Sequence, residues 1–129
     1  MAGAGQLYQD QILDHYKHPR NRGTLDPSTH QATEVNPLCG DKISLRVRLG
    51  AGGRIEAARF DGQGCAISIA SASMLTTLLE GKDVRDAKSL DEATLLRVVG
   101  VPLSAVRKAC ALLSLQALRA ALAGHGDSR

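Results

Sequence analysis

Three cysteines and one aspartate are the residues whose types and positions could do chemistry: Cys39, Asp41, Cys65 and Cys110. Cys39 and Asp41 stand two apart in Asn36-Pro37-Leu38-Cys39-Gly40-Asp41. Pro37 and Gly40 mark a tight turn, and Gly40 lets the chain bend so that both side chains could aim at one point. A thiolate and a carboxylate so placed can ligate one divalent ion. Cys65 follows Gly62-Gln63-Gly64 at the expected start of a helix. Unpaired backbone N–H groups and the positive end of a helix dipole would favour an anionic sulfur there. Cys110 stands inside the last apolar stripe, with Arg107 three residues earlier on the same side. Three sulfurs and one carboxylate complete a tetrahedral zinc set, although their wide separations match no compact CxxC finger.

Each residue also has a structural reading. A lone Cys can be a small buried hydrophobe, and that reading is strongest for Cys110 on its apolar face. Cys39 fits it least, because a Pro/Gly turn is a poor place for core packing. Asp41 alone reads as a turn former with local backbone hydrogen bonds. Other candidates are weaker. Gly62-Gln63-Gly64 precedes a helix as a phosphate loop would, but no Lys-Ser/Thr pair follows it. His15 and His18 read as surface side chains capping the end of a helix. His30 and His125 have no ligand pattern around them. Ser68, Ser71 and Ser73 lack a Gly-x-Ser-x-Gly elbow and read as small residues that let a helix pack closely.

The elements that must position this set can be read from hydrophobic period. Leu7, Tyr8, Ile12, Leu13 and Tyr16 predict a helix over residues 6–18, ended by Pro19. Residues 19–38 read as a long loop with at most a short strand before Pro37, a third member of the sheet. Ile43, Leu45, Val47 and Leu49 alternate with polar residues and predict a strand. A Gly-rich turn at residues 50–53 leads to a weaker strand over 55–60, giving an antiparallel hairpin. From Ala66 the period becomes helical up to about Gly81. Residues 83–100 predict one or two short helices, with Asp91 as an N-cap. A last helix is expected over 102–122, with Pro102 in its first turn, and residues 124–129 read as a frayed tail. Helix, strands, then helices indicate an α+β fold in which a small antiparallel sheet packs against helices.

Composition bounds the function. The 129 residues make one expected domain, 1–129, and 43% hydrophobic with 22% charged residues argues against global disorder. A chain of this length can bury enough surface to fold without a disulfide or metal. Sixteen basic and thirteen acidic residues leave a net charge of only +3, and there are one Phe, two Tyr and no Trp. Nucleic acid is therefore not an expected partner, since bases would find almost no rings to stack on. No apolar run approaches a membrane span, so no membrane association is expected. The opening Met-Ala-Gly-Ala-Gly has no signal-peptide pattern, and three Cys cannot close a disulfide framework. The expected compartment is the cytoplasm.

Taken together, the motifs resemble the U-type iron–sulfur cluster assembly proteins: IscU, SufU and the N-terminal domain of NifU. Leu7-Tyr8 through Ile12-Leu13-Asp14-His15-Tyr16 and Pro19-Arg20-Asn21-Arg22-Gly23 are similar to the family's N-terminal signature. Asn36 to Asp41 is similar to its first cysteine motif. Phe60-Asp61-Gly62-Gln63-Gly64-Cys65-Ala66-Ile67-Ser68, running into Ala70-Ser71-Ala72-Ser73, is similar to the second, and Arg107-Lys108-Ala109-Cys110-Ala111-Leu112-Leu113 to the third. The resemblance covers about residues 6–122. It implies a surface site of Cys39, Asp41, Cys65 and Cys110 that holds zinc or a transient 2Fe–2S cluster. It implies sulfur from a cysteine desulfurase, with Cys39 as the acceptor, and cluster transfer to apo client or carrier proteins. IscU members carry a Leu-Pro-Pro-Val-Lys stretch read by an Hsp70-type chaperone, and a His before the third Cys. Here Val101-Pro102-Leu103-Ser104-Ala105-Val106 and Ala109 stand instead. The chain resembles a short SufU, without the insertion usual there between the second and third cysteines. Non-enzymatic scaffold and zinc-dependent sulfurtransferase-type acceptor both fit that resemblance. The alternative from a different class is a structural zinc-binding module that binds another protein without sulfur transfer.

Overall fold

A computed structural model describes residues 4–38 and 40–123, with side chains from residue 9 onward. Cys39, the side chains of Leu7 and Tyr8, His125 and the expected frayed tail lie outside the described residues. The elements run α1 (Ala4–Lys17), β1 (His30–Val35), β2 (Lys42–Leu49), β3 (Ile55–Gln63), α2 (Ala66–Leu79), α3 (Val84–Lys88), α4 (Glu92–Val99) and α5 (Ala105–Leu122), with a 3-10 turn at Ala51–Gly53. The α+β reading holds. The sheet is antiparallel with order β1-β2-β3.

Alternation decides which face of the sheet is covered. Ile43, Leu45 and Val47 of β2 and Ile55, Ala58 and Phe60 of β3 are buried in one cluster with residues of α2 and α5. The polar residues between them on β2 point to the other face. Helix α5 lies across β1 and β2, and α2 packs on β3, α1, α4 and α5 at once. A helix surrounded in this way must be apolar or small all round. That is what Ser68 to Thr76 supplies, every residue of it buried.

The stretch after α1, expected as loop, is a clamp. Ser73 Oγ accepts the Arg20 backbone N–H at 2.8 Å and lies 2.7 Å from His15 Nδ1. The Gly23 N–H donates to the Phe60 carbonyl and the Phe60 N–H to the Asn21 carbonyl, at 2.8 and 2.9 Å. Pro19-Arg20-Asn21-Arg22-Gly23 thus ties α1 to α2 and covers the outer edge of β3, an edge that would otherwise offer unpaired backbone groups. His15 is accordingly not a surface cap: it is half-buried against Ser73.

Burial, assisted by the Arg20 charge, holds the His15 imidazole below its ordinary 6.5. Its stabilising contribution is full above pH 6.5 and is lost as pH falls from there through the lowered folded value. His15→Asn is expected to remove this component. In urea unfolding, wild type should lose stability relative to the variant on going from about pH 7.5 to about pH 5.

Three boundaries differ from expectation by more than two residues. The short strand before Pro37 is a full edge strand, β1, paired along its length with β2. Strand β3 runs to Gln63, three residues beyond Phe60, because Lys42 pairs with Gln63 and keeps the ladder closed. The last helix starts at Ala105, not Pro102: Ser104 is its N-cap and accepts the Arg107 N–H at 3.3 Å. Pro102 lies in the connection after Gly100, which ends α4 in the left-handed conformation. Asp91 caps α4 as expected, accepting the Thr94 N–H at 2.8 Å. Among the described residues no helix is long and apolar enough to cross a membrane.

Candidate metal centre

Sheet register brings the first two ligand candidates together. Lys42 pairs with Gln63, so the residue before β2 and the residues after β3 meet at one end of the sheet. Asp41 is the first of these; Gly64 and Cys65 are the second. The approach at Gly64 is tight. A Cβ on Gly64 would sit 3.0 Å from both Asp41 Cγ and Ser68 Cβ.

Asn36 shapes the connection that carries Asp41. Its N–H donates to the Asp41 carbonyl at 2.8 Å, its carbonyl accepts the Gly40 N–H at 2.7 Å, and its Oδ1 accepts the Leu38 N–H at 3.0 Å. Gly40 has φ +77°, the left-handed turn that the sequence implied at this position. Asn36 is buried and Leu38 stands out at 83% exposure.

Cys65 is the N-cap of α2, in extended conformation. It therefore leaves the sheet end where Asp41 lies and opens the helix, as expected. Cys110 stands in the second turn of α5 and is only 3% exposed. The packing of α5 on α2 brings it to the same point. One ligand atom each of Asp41, Cys65 and Cys110 lies within 4.8 Å of the other two. A tetrahedral zinc ion with Zn–S of about 2.3 Å and Zn–O of about 2.0 Å spaces its ligand atoms about 3.5–3.8 Å apart. Closing the cluster onto one ion therefore asks only for small side-chain rotations. Two sulfurs and a carboxylate oxygen, supplied by three separate stretches, suit zinc or iron by donor chemistry.

Asp41 is not the turn former that its position alone suggested. Its side chain is turned inward, the residue is only 6% exposed, and Oδ2 accepts the Ser68 hydroxyl at 2.5 Å. The Cys65 N–H also points at Oδ2, at a long 3.5 Å. Ser68 was expected only as a packing residue. The structure shows it touching two ligand candidates, since its Oγ also lies 3.6 Å from Cys65 Sγ. Its place three residues after Cys65 was the available signal, because a first-turn side chain leans back over the helix start. Ser73, also read as packing, is instead the anchor for Arg20 and His15. Arg107 is exposed in the first turn of α5.

Comparison with known proteins agrees with this arrangement. Residues 7–128 match the NifU-like N terminal domain family. The chain is 46% identical over 91 residues to the zinc-dependent sulfurtransferase SufU of Bacillus subtilis, an alignment covering 70% of this chain and 60% of that relative. It is 34% identical over 125 residues to the iron–sulfur cluster assembly scaffold protein IscU of Rickettsia prowazekii, covering 95% and 94% of the two chains. The crystal structure of FiSufU from Fervidobacterium islandicum AW-1 superposes with a TM-score of 0.73 at 26% identity, over 93% of this chain and 99% of that one. The chain belongs to the NifU-like N terminal domain family, alongside the SufU and IscU proteins of iron–sulfur cluster assembly.

Proposed function

We propose that the chain, as a single domain over residues 1–129, is an iron–sulfur cluster assembly protein. It accepts sulfur from a cysteine desulfurase at a site of Cys39, Asp41, Cys65 and Cys110, and supports assembly and transfer of clusters to apo client or carrier proteins. The observation that carries this reading is the convergence of Asp41, Cys65 and Cys110 within 4.8 Å from three separate stretches of chain. Two peptide links separate Cys39 from Asp41, a span of at most about 7 Å, so its sulfur is the natural fourth ligand.

Cys39 is the acceptor in this reading. Its neighbour Leu38 is the most exposed large apolar side chain described, and Val106, one turn before Cys110, is 58% exposed. Apolar side chains flanking a thiol site suit docking of a desulfurase. The Cys39 thiolate attacks the outer sulfur of the desulfurase persulfide. A new S–S bond forms at Cys39 as the old one breaks, and the electron pair leaves on the desulfurase cysteine as its thiolate. One sulfur atom moves and no oxidant is consumed. Cys65 and Cys110, on helices, are the fixed ligands, and Asp41 is the harder ligand that releases a cluster more readily than a fourth thiolate would.

Zinc, when bound, keeps the site's sulfurs deprotonated with one ligand exchangeable. A reducing compartment such as the cytoplasm fits a site that works through thiolates. A second reading, a scaffold that itself builds a 2Fe–2S cluster, is favoured by the near full-length match to IscU. It also suits the compact stretch between Cys65 and Cys110, which holds α2, α3, α4 and the first turn of α5.

The test is incubation of the chain with a cysteine desulfurase and free cysteine under anaerobic conditions. The expected results are faster alanine release and a mass gain of one sulfur atom, mapped to Cys39. No gain in rate and no persulfide on the chain would reject sulfur acceptance. Adding iron and an apo-ferredoxin to the same mixture then separates acceptor from scaffold by visible absorption.

A further inference from the structure

We infer that Ser68 is a positioning residue of the metal site, holding one oxygen of Asp41 so that the carboxylate meets the ion in a fixed, one-oxygen orientation. This rests on the metal-site reading above. Ser68 is the third residue of α2, and Cys65 is that helix's N-cap. Its side chain leans back over the helix start, toward the sheet end that carries Asp41. The residue is 1% exposed, so its hydroxyl has no bulk water to fall back on and needs a protein partner. It finds one at 2.5 Å in Asp41 Oδ2, a length typical of an O–H donating to a charged oxygen.

A second contact of the Ser68 hydroxyl defines the geometry further. Ser68 Oγ lies 3.6 Å from Cys65 Sγ. One hydroxyl has one proton, and the shorter contact assigns it to the carboxylate. Ser68 therefore fixes the carboxylate beside the sulfur. Gly64 completes the cradle, since a Cβ there would press on Asp41 Cγ and Ser68 Cβ at 3.0 Å. A carboxylate with one oxygen so engaged is turned toward monodentate coordination. Ligands held by a hydrogen-bonding outer partner commonly lose about 10–100-fold in metal affinity when that partner is removed.

The experiment is a zinc competition titration on the full chain with a chromophoric chelator. It compares wild type, Ser68→Ala, Asp41→Ala and the double variant, with circular dichroism of the metal-free forms as the check on folding. Ser68→Ala is expected to weaken zinc binding about 10–100-fold. In the Asp41→Ala background the same change is expected to cost nothing further, because Ser68 acts through that carboxylate. Cobalt-loaded Ser68→Ala should change its visible d–d bands while keeping the sulfur-to-cobalt charge-transfer bands.

Wild-type zinc affinity in Ser68→Ala, or an undiminished loss in the Asp41→Ala background, overturns the inference and leaves the metal site standing. Failure of the wild-type chain to bind zinc overturns the metal-site reading and this inference together. Should Ser68→Ala not fold, Ser68→Gly carries the same test. It also removes the hydroxyl, and its loss of zinc affinity must likewise vanish in the Asp41→Ala background.

Discussion

Cys39→Ser is expected to fold as wild type and yet to stop accelerating a cysteine desulfurase, with sulfur loading of the chain falling to background. The loss should be two orders of magnitude or more, since removing a nucleophile costs up to about six orders of magnitude in other group transfers. The argument is chemical. A serine hydroxyl is not ionised near neutral pH and cannot attack a sulfane sulfur as a thiolate does. Cys65 and Cys110 are not expected to substitute for it. Cys65 caps α2 beside Asp41, and Cys110 is buried in the body of α5. Alanine release by the desulfurase, with and without the variant, checks this. Undiminished stimulation would reject Cys39 as the acceptor.

Cys65→Ser and Cys110→Ser are expected to lose tight zinc binding while leaving the fold in place. Zinc bound at four such ligands contributes about 10–16 kcal/mol, so one ligand accounts for about 3–4 kcal/mol, or two to three orders of magnitude in affinity. The fold is expected not to depend on that energy. Phe60, Ile43, Leu45, Ile55, Leu75, Leu79, Leu95, Leu113, Leu115, Leu118 and Leu122 are fully enclosed in a core built without the site. Chelation of zinc from wild type should accordingly leave the far-ultraviolet circular dichroism unchanged and lower the thermal midpoint only through lost binding. A structural zinc module predicts the opposite, unfolding on chelation. Chelator titration followed by circular dichroism and thermal melts distinguishes the two.

Much of this was legible in the sequence, and the gaps have physical causes. Helices α1 and α2, strand β2 and the Asp91 cap follow from period and capping chemistry, both local signals. The convergence of Asp41, Cys65 and Cys110 does not. It depends on the Lys42–Gln63 register and on α5 packing across α2, which no local pattern encodes. Motif resemblance supplied that set, and the geometry brings three of its members together. Residues 19–23 read as loop because hydrogen bonds to Ser73 and Phe60 leave no hydrophobic period. The start of α5 differs from the sequence reading because two signals compete there. Pro102 suits a first turn, but the Ser104 cap lies three residues before Arg107 and sets the boundary. Ser68 and Ser73 read as packing residues in the sequence because a hydroxyl's partner is a tertiary fact, and in both cases the partner lies more than twenty residues away.

X-ray absorption at the zinc edge of the zinc-loaded full chain tests the common site most directly. The expected first shell is three sulfurs at about 2.3 Å and one oxygen at about 2.0 Å, with one sulfur lost in Cys110→Ser. A shell of nitrogen and oxygen alone, or one unchanged in that variant, would contradict the account.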